Sequence, residues 1–290
     1  MRRDAVGIEL APPERFRAYW PEVRRSCFFR SRQQYLEFMR SNDGRIYHLR
    51  APGRSLPPFA LVGNWRSRDD IKALWHLKGH GPVRGTLVRE AVRRSFEEGA
   101  GLFVTRPLSE YEAEEYAAWG FSPLYRIVLM ERRARRAEAE GAGEAAVELV
   151  RFHKRHLDGV LELDATAFDG FWRLDARTLD AVASSCARNV FLLAMEGGRL
   201  TGYVIGGANG RFGYLQRLGV RAGHQGRGIG EALSRRLLAD LAAMGAGVIC
   251  VNTQEENEAA RSLYRKLGFE ETPDRRLIMR GTPDSAGWGP

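Results

Sequence analysis

The chain has 290 residues, of which 44% are hydrophobic and 28% are charged, and its formal net charge is +9 at pH 7. A chain of this length can form two domains of ordinary size, each with its own hydrophobic core. It contains no uninterrupted apolar run of about 18 residues, so we expect no membrane span. The basic N-terminus lacks an apolar stretch of signal-peptide length, which predicts a cytoplasmic protein.

The net charge and the positions of the cysteines say little about the function of the protein. A basic surface could attract nucleic acid, but nearly all of the basic residues are arginines spread along the chain, so nucleic-acid binding is kept only as an alternative. Cys27, Cys186 and Cys250 form no C-x-x-C pair, and we expect reduced thiols that are buried as small hydrophobic side chains. No histidine spacing is typical of a metal site, and we predict none.

In the first half, the stretch "GHGPVRGTLVREAV" predicts the start of a helix, and "SEYEAEEYAAWGF" predicts a second helix. The run "SPLYRIVLMER" then predicts a strand. The segment "RRARRAEAEGAGEAA" (132–146) has no apolar periodicity, which indicates a linker. We therefore predict domains at 1–131 and 147–282, joined by this linker and followed by a tail at 283–290.

The second half reads as an alternation of strands and helices. "VELVRF" predicts a strand, and "LDGVLELDATAF" and "DARTLDAVASSC" predict helices. "NVFLLAME" and "LTGYVIGGA" flank Gly197 and Gly198 and predict a hairpin. "RFGYLQRLGV" predicts a strand, "IGEALSRRLLADLAAM" an amphipathic helix, "GVICVNT" a buried strand, and "NEAARSLYRKL" a helix that Gly268 closes. This order predicts a mixed α/β fold with one sheet in this half.

The two halves are similar when they are aligned. Gly81 then falls on Gly226, and Tyr116 falls on Tyr264. Each half also ends in a strand-like run. A repeat of this length indicates a duplicated domain rather than a solenoid, whose periods are about 20–50 residues.

The stretch "RAGHQGRGIGEALSRRLL" places several glycines between a strand and a helix. The first N–H groups of a helix have no partner within it and lie at the positive end of its dipole, so such a turn can bind a phosphate. A dinucleotide fingerprint fails because Glu231 replaces its last glycine, and no lysine follows for a Walker loop. The remaining pattern is Q/R-x-x-G-x-G/A, met by Gln225, Gly228 and Gly230. A glycine-rich helix start without a ligand is the alternative.

A second motif decides between these interpretations. "NEAARSLYRKLGF" resembles the N-x-x-A-x-x-L-Y-x-x-x-G-F block of the GCN5-related N-acetyltransferase (GNAT) superfamily, and "LGVRAGHQGRGIGEAL" resembles its acyl-CoA-binding block, in the same order and spacing. The resemblance covers 147–281 well and 8–131 weakly. The chain is thus similar to tandem-GNAT proteins with a degenerate N-terminal repeat. The resemblance implies two tandem GNAT-like domains, each with a central, mostly antiparallel sheet flanked by helices.

The resemblance also implies an activity. Acetyl-CoA, or another acyl-CoA, would be the co-substrate, and the primary amine of a small molecule or peptide would attack the thioester directly in a ternary complex, without a metal. Tyr264 would protonate the departing thiolate, with a side chain that only packs in the core as the alternative. Asn257 would approach the CoA arm, or simply cap its helix. The implied CoA-binding residues are Leu218, Gly219, Val220, Gln225, Gly226, Arg227, Gly228, Ile229, Gly230 and Asn257.

The chain departs from the family at the general base. Many members carry a glutamate on the strand before the glycines, where this chain has Tyr214, Gln216 and Arg217. Gln216 cannot accept a proton but could orient a water molecule. Glu255 and Glu256 are further candidates, or else a solvated pair. The missing carboxylate motivates an alternative function, a non-catalytic acyl-CoA-binding or regulatory protein.

Two expectations concern the rest of the chain. In the first half, Pro82 and Val83 replace two residues of the glycine turn, and proline has no N–H to donate. We therefore predict that this half binds CoA poorly or not at all and has a structural role. The acceptor-binding loop is expected at 169–177, where Phe171 and Trp172 either line a pocket or pack between helices.

Overall fold

The computed structural model describes residues 7–26, 28–50, 56–135 and 147–283. Most of the predicted linker, the tail beyond residue 283 and Cys27 lie outside the described residues. The described residues form two compact units. The first unit takes residues up to Tyr125 and those from Arg276 on, and the second takes Arg126–Arg275. The predicted domain boundaries at 131 and 147 stay a prediction drawn along the sequence.

The elements that the sequence predicts occur in the predicted order, and the first half also contains helices and strands for which no prediction was made. The first part contains β1 (Ile8–Leu10), α1 (Phe16–Val23), α2 (Arg32–Ser41), β2 (Arg45–Leu49), β3 (Phe59–Trp65), β4 (Arg68–Lys78), α3 (Pro82–Glu97), β5 (Leu102–Thr105), β6 (Leu108–Ser109), α4 (Glu110–Ala118) and β7 (Ser122–Arg133). The second contains β8 (Glu148–Arg151), α5 (Leu157–Ala167), α6 (Ala176–Ala183), β9 (Arg188–Glu196), β10 (Arg199–Asn209), β11 (Phe212–Val220), α7 (Ile229–Ala243), β12 (Val248–Gln254), α8 (Glu258–Lys266) and β13 (Glu270–Gly281).

Each unit is built on a sheet that includes a strand from the other half of the sequence. In the second unit the strand order is β8-β9-β10-β11-β12-β7, because residues 127–133 of β7 pair with 248–254 of β12, and β13 lies on the other side of β7. In the first unit the order is β1-β2-β3-β4-β5-β13, and only the end of β13 takes part. All pairs within these two sheets are antiparallel except β4 with β5 and β11 with β12.

Helices cover both faces of each sheet because successive strand residues point to opposite sides. In the second unit, Val204 of β10 packs in the cluster beneath α7, whereas its neighbours Tyr203 and Ile205 pack beneath α5 and α6. The predicted apolar stripe of α7 is buried, with Leu233, Leu237 and Leu241 fully enclosed. The predicted fold class, a mixed α/β fold with mostly antiparallel sheets flanked by helices, is therefore confirmed.

One strand differs from its prediction. β12 is not buried on both faces, because burial alternates along it and Asn252 is exposed. Cys250 is accordingly only half-buried, whereas Cys186 is buried as expected. The continuous apolar run "GVICV" suggested that helices cover both faces of this strand. One face does pack under a helix, but the other face borders a cavity.

Two glycines of the second unit should respond to alanine in opposite directions. A Cβ at Gly206 of β10 would lie 2.5 Å from the carbonyl oxygen of Tyr214 and 2.7 Å from a methyl of Leu237, so Gly206→Ala should destabilise the protein by about 1–3 kcal/mol. A Cβ at Gly159 of α5 would have ordinary contact at 3.5 Å, so Gly159→Ala should stabilise it by about 0.5 kcal/mol. Thermal unfolding of both variants tests this, and a loss of stability in Gly159→Ala would contradict the packing described for α5.

Candidate active site

The sheet of the second unit opens at the end of β11. β11 and β12 pair in parallel only from Phe212 with Val248 to Leu215 with Val251. Beyond that point β11 stays with β10 as far as Val220, and β12 stays with β7 as far as Gln254. Among the described residues, 216–220 therefore have no strand partner on the side of β12. The backbone groups of this stretch that point away from β10 form a free strand edge, except that the Val220 carbonyl oxygen accepts from Gln225 Nε2 at 3.2 Å. An extended ligand can add to such an edge by backbone hydrogen bonds.

A β-bulge lies where the strands separate. On β10, Ile205 pairs with Arg217 and the next residue, Gly206, pairs with Leu215, so Gln216 is an extra residue on β11. Such a residue re-aims the side chains beside it. Gln216 and Arg217 consequently point to the same face, where the first donates to Ser185 Oγ and the second to Asp164. The carbonyl oxygen of the Gln216 side chain is buried and has no hydrogen-bond partner within the described part of the chain.

Arg217 and Asp164 form a buried ion pair that the sequence analysis missed. The Nη2–Oδ2 distance is 2.6 Å, Asp164 is fully buried and Arg217 is 8% exposed. The Tyr203 hydroxyl donates to the same carboxylate oxygen. A signal was present, since Asp164 lies within the apolar helix sequence "VLELDATAF" and an arginine on a central strand requires a buried acceptor.

This ion pair also fixes the loop between α5 and α6. Asp164 Oδ1 accepts from the backbone N–H of Leu174 at 2.8 Å, and Arg217 donates to the carbonyl oxygen of Trp172 at 2.9 Å. Phe171 and Trp172 are both buried, with their rings 5.0 Å apart in an edge-to-face arrangement. Of the two roles considered for these aromatic residues, the structure therefore favours packing.

The glycine turn, Gln225–Gly230, follows the free strand edge directly. Gly226 and Gly228 have φ values of 75° and 82°, a left-handed conformation that favours glycine, and a Cβ at either residue would meet nothing within 4 Å. α7 begins at Ile229 without a side-chain cap. In the part of the chain that the structure describes, the N–H groups of Gly226 to Gly230 have no protein acceptor. These donors at a helix N-terminus form a site with the chemistry to bind a phosphate.

α8 closes the other side of the opening. A Cβ at Gly230 would touch Leu263 of α8 and Val220 of β11 at 3.5 Å each, so the glycine turn, the strand end and α8 meet at one place. Asn257 caps α8, its Oδ1 accepting from the N–H of Ala260 at 3.1 Å. This contact supports the capping role, and an additional contact with CoA stays a prediction.

Tyr264 of α8 is buried, with 5% of its surface exposed, and belongs to the core cluster under α7. Burial raises the pKa of its hydroxyl above the usual value, and the nearby charge of Arg217 lowers it in part. The side chain therefore stays protonated at neutral pH. Its hydroxyl has no protein hydrogen-bond partner among the described residues and is not among the fully enclosed polar atoms. It thus combines the packing role with an available donor.

A cavity of about 600 Å³ lies on the α6 side of the opening. Its lining includes Gln216 and Tyr214 on β11, Cys250 on β12 and Ser185 after α6. Glu255 and Glu256, the alternative bases, do not line it, and Glu255 instead forms a 3.8 Å ion pair with Arg275. The cavity therefore places Gln216, but neither of these glutamates, on its wall.

The described residues also bear on the metal and membrane predictions. No cluster of three or more His, Cys, Asp or Glu side chains in these residues could hold a metal ion. None of the described helices has both the length and the apolar character needed to cross a membrane.

The described fold is that of tandem GNAT proteins. A tandem GNAT protein from the clavulanic acid biosynthesis pathway superposes with a TM-score of 0.67 at 15% identity, over 98% of this chain and 99% of its own. A GCN5-related N-acetyltransferase from Sphaerobacter thermophilus superposes with a TM-score of 0.60 at 17% identity, over 96% and 95% of the two chains. A conserved protein of unknown function from Enterococcus faecalis gives 0.66 at 10% identity, over 97% of this chain and 74% of its own.

A family match covers part of the second half of the chain. The model of the acetyltransferase (GNAT) family matches residues 157–269, which include the bulge, the glycine turn and α8. This part of the chain is thus similar to the GNAT family, as the two sequence motifs predicted. A match to this family supports acyl-CoA-dependent N-acyltransferase activity in general.

The buried ion pair should matter more for stability than a surface pair on the same helix. Asp164→Asn leaves Arg217 buried without a counter-charge and should lower the free energy of unfolding by about 3–5 kcal/mol. Glu162→Gln, which removes the exposed pair with Arg221, should cost less than about 1 kcal/mol. Denaturant unfolding measures both variants. Equal, small losses would show that Asp164 does not hold the network together.

Proposed function

We propose that the second unit is an N-acyltransferase that transfers an acetyl group from acetyl-CoA, or another acyl group from its CoA thioester, to a primary amine. The observation that carries the proposal is the meeting of two sets of backbone groups, the edge of β11 that has no strand partner among the described residues and the N–H groups of the glycine turn. The edge of β11 can bind an extended chain with amide groups, and the N–H groups of the glycine turn can bind a phosphate. CoA has an amide-containing pantetheine arm and a pyrophosphate in one molecule.

In this proposal the backbone N–H groups of Gln225–Gly230 bind the pyrophosphate. Leu218, Gly219 and Val220 pair with the pantetheine arm as an added strand would. Asn257 keeps α8 in place and approaches the same arm. The absence of atoms near Gly226 and Gly228 supports these roles, because any side chain there would occupy the space for the anion.

The reaction needs few groups from the protein. Acetyl-CoA supplies the acetyl group as a thioester. A backbone N–H near Val220 donates to the carbonyl oxygen as negative charge develops on it. Tyr264 then donates its proton to the departing sulfur, and its raised pKa keeps that proton available.

The incoming amine must lose a proton, since a free amine has a pKa of about 10. Gln216 is the residue that we place there, as a holder of water rather than as a base. Its side-chain carbonyl oxygen is buried with no partner from the residues that the structure describes, and so it can accept a hydrogen bond from a water molecule or from the amine itself. The water relay then carries the proton to solvent.

The first unit contains the same bulge, but its surroundings are filled. Leu61 pairs with His76 and Val62 pairs with Leu74, so Trp75 takes the place that Gln216 has in the second unit. The ring of Trp75 stacks on Trp65 at 5.6 Å and meets Phe28 edge-on at 4.7 Å. Aromatic packing thus replaces the polar side chain that borders the cavity of the second unit.

The glycine turn of the first unit has also changed. Pro82 begins α3 and offers no N–H, and the Trp119 ring lies against Gly85, where an added Cβ would be 3.0 Å from its Nε1. Tyr116, the counterpart of Tyr264, packs edge-to-face with Trp119 and Phe121. These contacts support a structural role for the first unit, and we infer that the proposed activity belongs to the second.

A second candidate function rests on one observation. No carboxylate lies on β11 beside the opening, where Gln216 and Arg217 stand instead. A protein that binds acyl-CoA without transferring the acyl group would keep the strand edge and the glycine turn and need no base. Binding and turnover, measured separately, distinguish the two candidates.

Calorimetric titration with acetyl-CoA should give one site per chain. Gly228→Glu should abolish binding, because a carboxylate would occupy the phosphate position. Gly210→Glu is the matched control, since Gly210 also has positive φ and open space around it but lies in the hairpin turn before β11. Two sites per chain would mean that the first unit has kept a CoA site. If both variants bind normally, the glycine turn does not hold the phosphate.

Tyr264→Phe should lower kcat by about 10²-fold while leaving the KM for acetyl-CoA nearly unchanged, because it removes a proton donor and no binding contact. Tyr116→Phe is the control, since this tyrosine has the same place on α4 and the same 5% exposure. Because burial raises the pKa of Tyr264, its ionisation should cause no loss of activity up to pH 10. An acetyl-CoA-binding wild type without turnover would favour the second candidate.

A further inference from the structure

We propose that Arg132 is a positioning residue for the reaction, because it fixes the last turn of α8 and thereby holds Tyr264 in place. This inference rests on the proposed function, in which Tyr264 donates a proton to the departing sulfur. Arg132 lies near the end of β7, the strand that the first half of the sequence contributes to the sheet of the second unit. Its contact with α8 therefore joins two distant parts of the sequence within one unit.

Tyr264 lies where the C-terminal turn of α8 is closed. The N–H of Phe269 donates to the carbonyl oxygen of Tyr264 at 2.9 Å. Gly268, between the helix and Phe269, has a φ of 82°, the left-handed conformation that this helix ending requires. The Phe269 ring also meets the Tyr264 ring edge-on, with 5.8 Å between the ring centres. Phe269 therefore restrains both the backbone and the side chain of Tyr264.

Arg132 holds this helix ending from the sheet. Its Nη1 donates to the carbonyl oxygen of Leu267 at 2.6 Å, and the N–H of Leu267 in turn donates to the carbonyl oxygen of Tyr264 at 3.1 Å. The guanidinium carbon of Arg132 lies 5.8 Å from the centre of the Phe269 ring, within the range of a cation–π interaction. Leu267 and Phe269 are both buried. One side chain of β7 thus contacts the two residues that hold Tyr264.

The positive charge of Arg132 is favourable at this position. The carbonyl groups at the C-terminal end of a helix carry partial negative charge and lack partners within the helix. Arg132 is itself buried, with 8% of its surface exposed. Taking a guanidinium out of water is costly, and an apolar side chain at this place on β7 would avoid that cost. The orientation that the arginine gives to α8 therefore explains its presence better than stability does.

α4 of the first unit ends in the same way as α8. The N–H of Phe121 donates to the carbonyl oxygen of Tyr116 at 3.0 Å, and the centres of the two rings lie 5.5 Å apart. Gly120, the residue before Phe121, has a φ of 81°. The two units thus share the helix ending and differ in what the sheet places against it.

Gly281 of β13 occupies the strand position that corresponds to Arg132. Arg132 pairs with Ile249, and Gly281 pairs with Phe103. Both of these partners lie opposite the residue three positions before the bulge of their own unit. A Cβ at Gly281 would lie 2.5 Å from the Phe121 ring, so the ring fills the space that a side chain would need. The fold can therefore close this helix without an arginine, and Arg132 occurs in the unit to which we assign the reaction.

Arg132→Met tests the proposal, because methionine keeps an unbranched apolar stem but removes the donors. The Tyr264 hydroxyl should lose its fixed position, and kcat should fall about 10-fold. The KM for acetyl-CoA should change by less than about twofold, since Asn257 caps the opposite end of α8. Arg132→Lys keeps the charge and a donor for Leu267 and should recover most of the lost kcat. Arg133→Met is the control and should match the wild type, because Arg133 is the next residue on β7 and is exposed.

A double-mutant cycle separates positioning from a general loss of structure. In Tyr264→Phe the hydroxyl is already absent, so adding Arg132→Met should lower kcat by less than about twofold further. A fall of equal size in both backgrounds would overturn the proposal, because Arg132 would then act on the fold as a whole. An unchanged kcat in Arg132→Met, beside a lowered one in Tyr264→Phe, would overturn it as well.

Amide hydrogen exchange tests the same contact without turnover. In Arg132→Met the N–H of Phe269 should exchange about tenfold faster, whereas the N–H of Phe121 in the first unit should keep its wild-type rate. If the wild type transfers no acetyl group, this result still supports the hold of Arg132 on Tyr264, and only the proposed function fails. An unchanged exchange rate at Phe269 would overturn the inference, whether or not the protein is active.

Discussion

The extra residue in β11 is the constraint on which the opening of the second unit depends. Without Gln216 as a bulge, β11 would continue beside β12 in regular pairing, and its edge would be consumed by the sheet. The bulge is possible because β10 has glycines opposite it. At Gly206 a Cβ would lie 2.5 Å from the carbonyl oxygen of Tyr214, so only glycine allows β11 to approach this closely. A packing requirement on one strand thereby determines where the neighbouring strand can accept a ligand.

The ion pair between Arg217 and Asp164 follows from the same bulge, which turns Arg217 toward α5. Buried ion pairs contribute little net stability, because desolvating the two charges offsets most of their attraction. The main effect of this ion pair is to fix the position of the neighbouring backbone. It holds the backbone at Leu174 and Trp172, and thus the loop that leads into α6 and the roof of the cavity. The guanidinium also stacks 3.3 Å from the centre of the Phe168 ring, so its direction is restricted from a second side.

The features that the sequence predicts well are those that local residues determine. Helix starts and ends, the hairpin at Gly197 and the glycine turn all follow from periodicity and from the preference of glycine for positive φ. The bulge at Gln216, the partner of Arg217 and the exchange of strands between the two halves depend on pairings between distant segments. Periodicity carries no information on those pairings. The misjudged face of β12 has the same origin, because an apolar run does not say whether a helix or a cavity covers it.

A comparison of the two units explains why the same fold has an open site in the second unit and a filled one in the first. Both sheets have a bulge at the same place, before the strands separate, so the scaffold of an opening is present twice. In the first unit Trp75 stands at the bulge and packs with Phe28, Phe38 and Trp65, which exchanges a polar cavity for contacts between aromatic rings. Packing between such rings is stabilising, whereas an open cavity bordered by a glutamine amide oxygen that has no partner among the described residues is not. The second unit therefore keeps an arrangement that stability alone would not favour, and this is the expected property of a site retained for ligand binding.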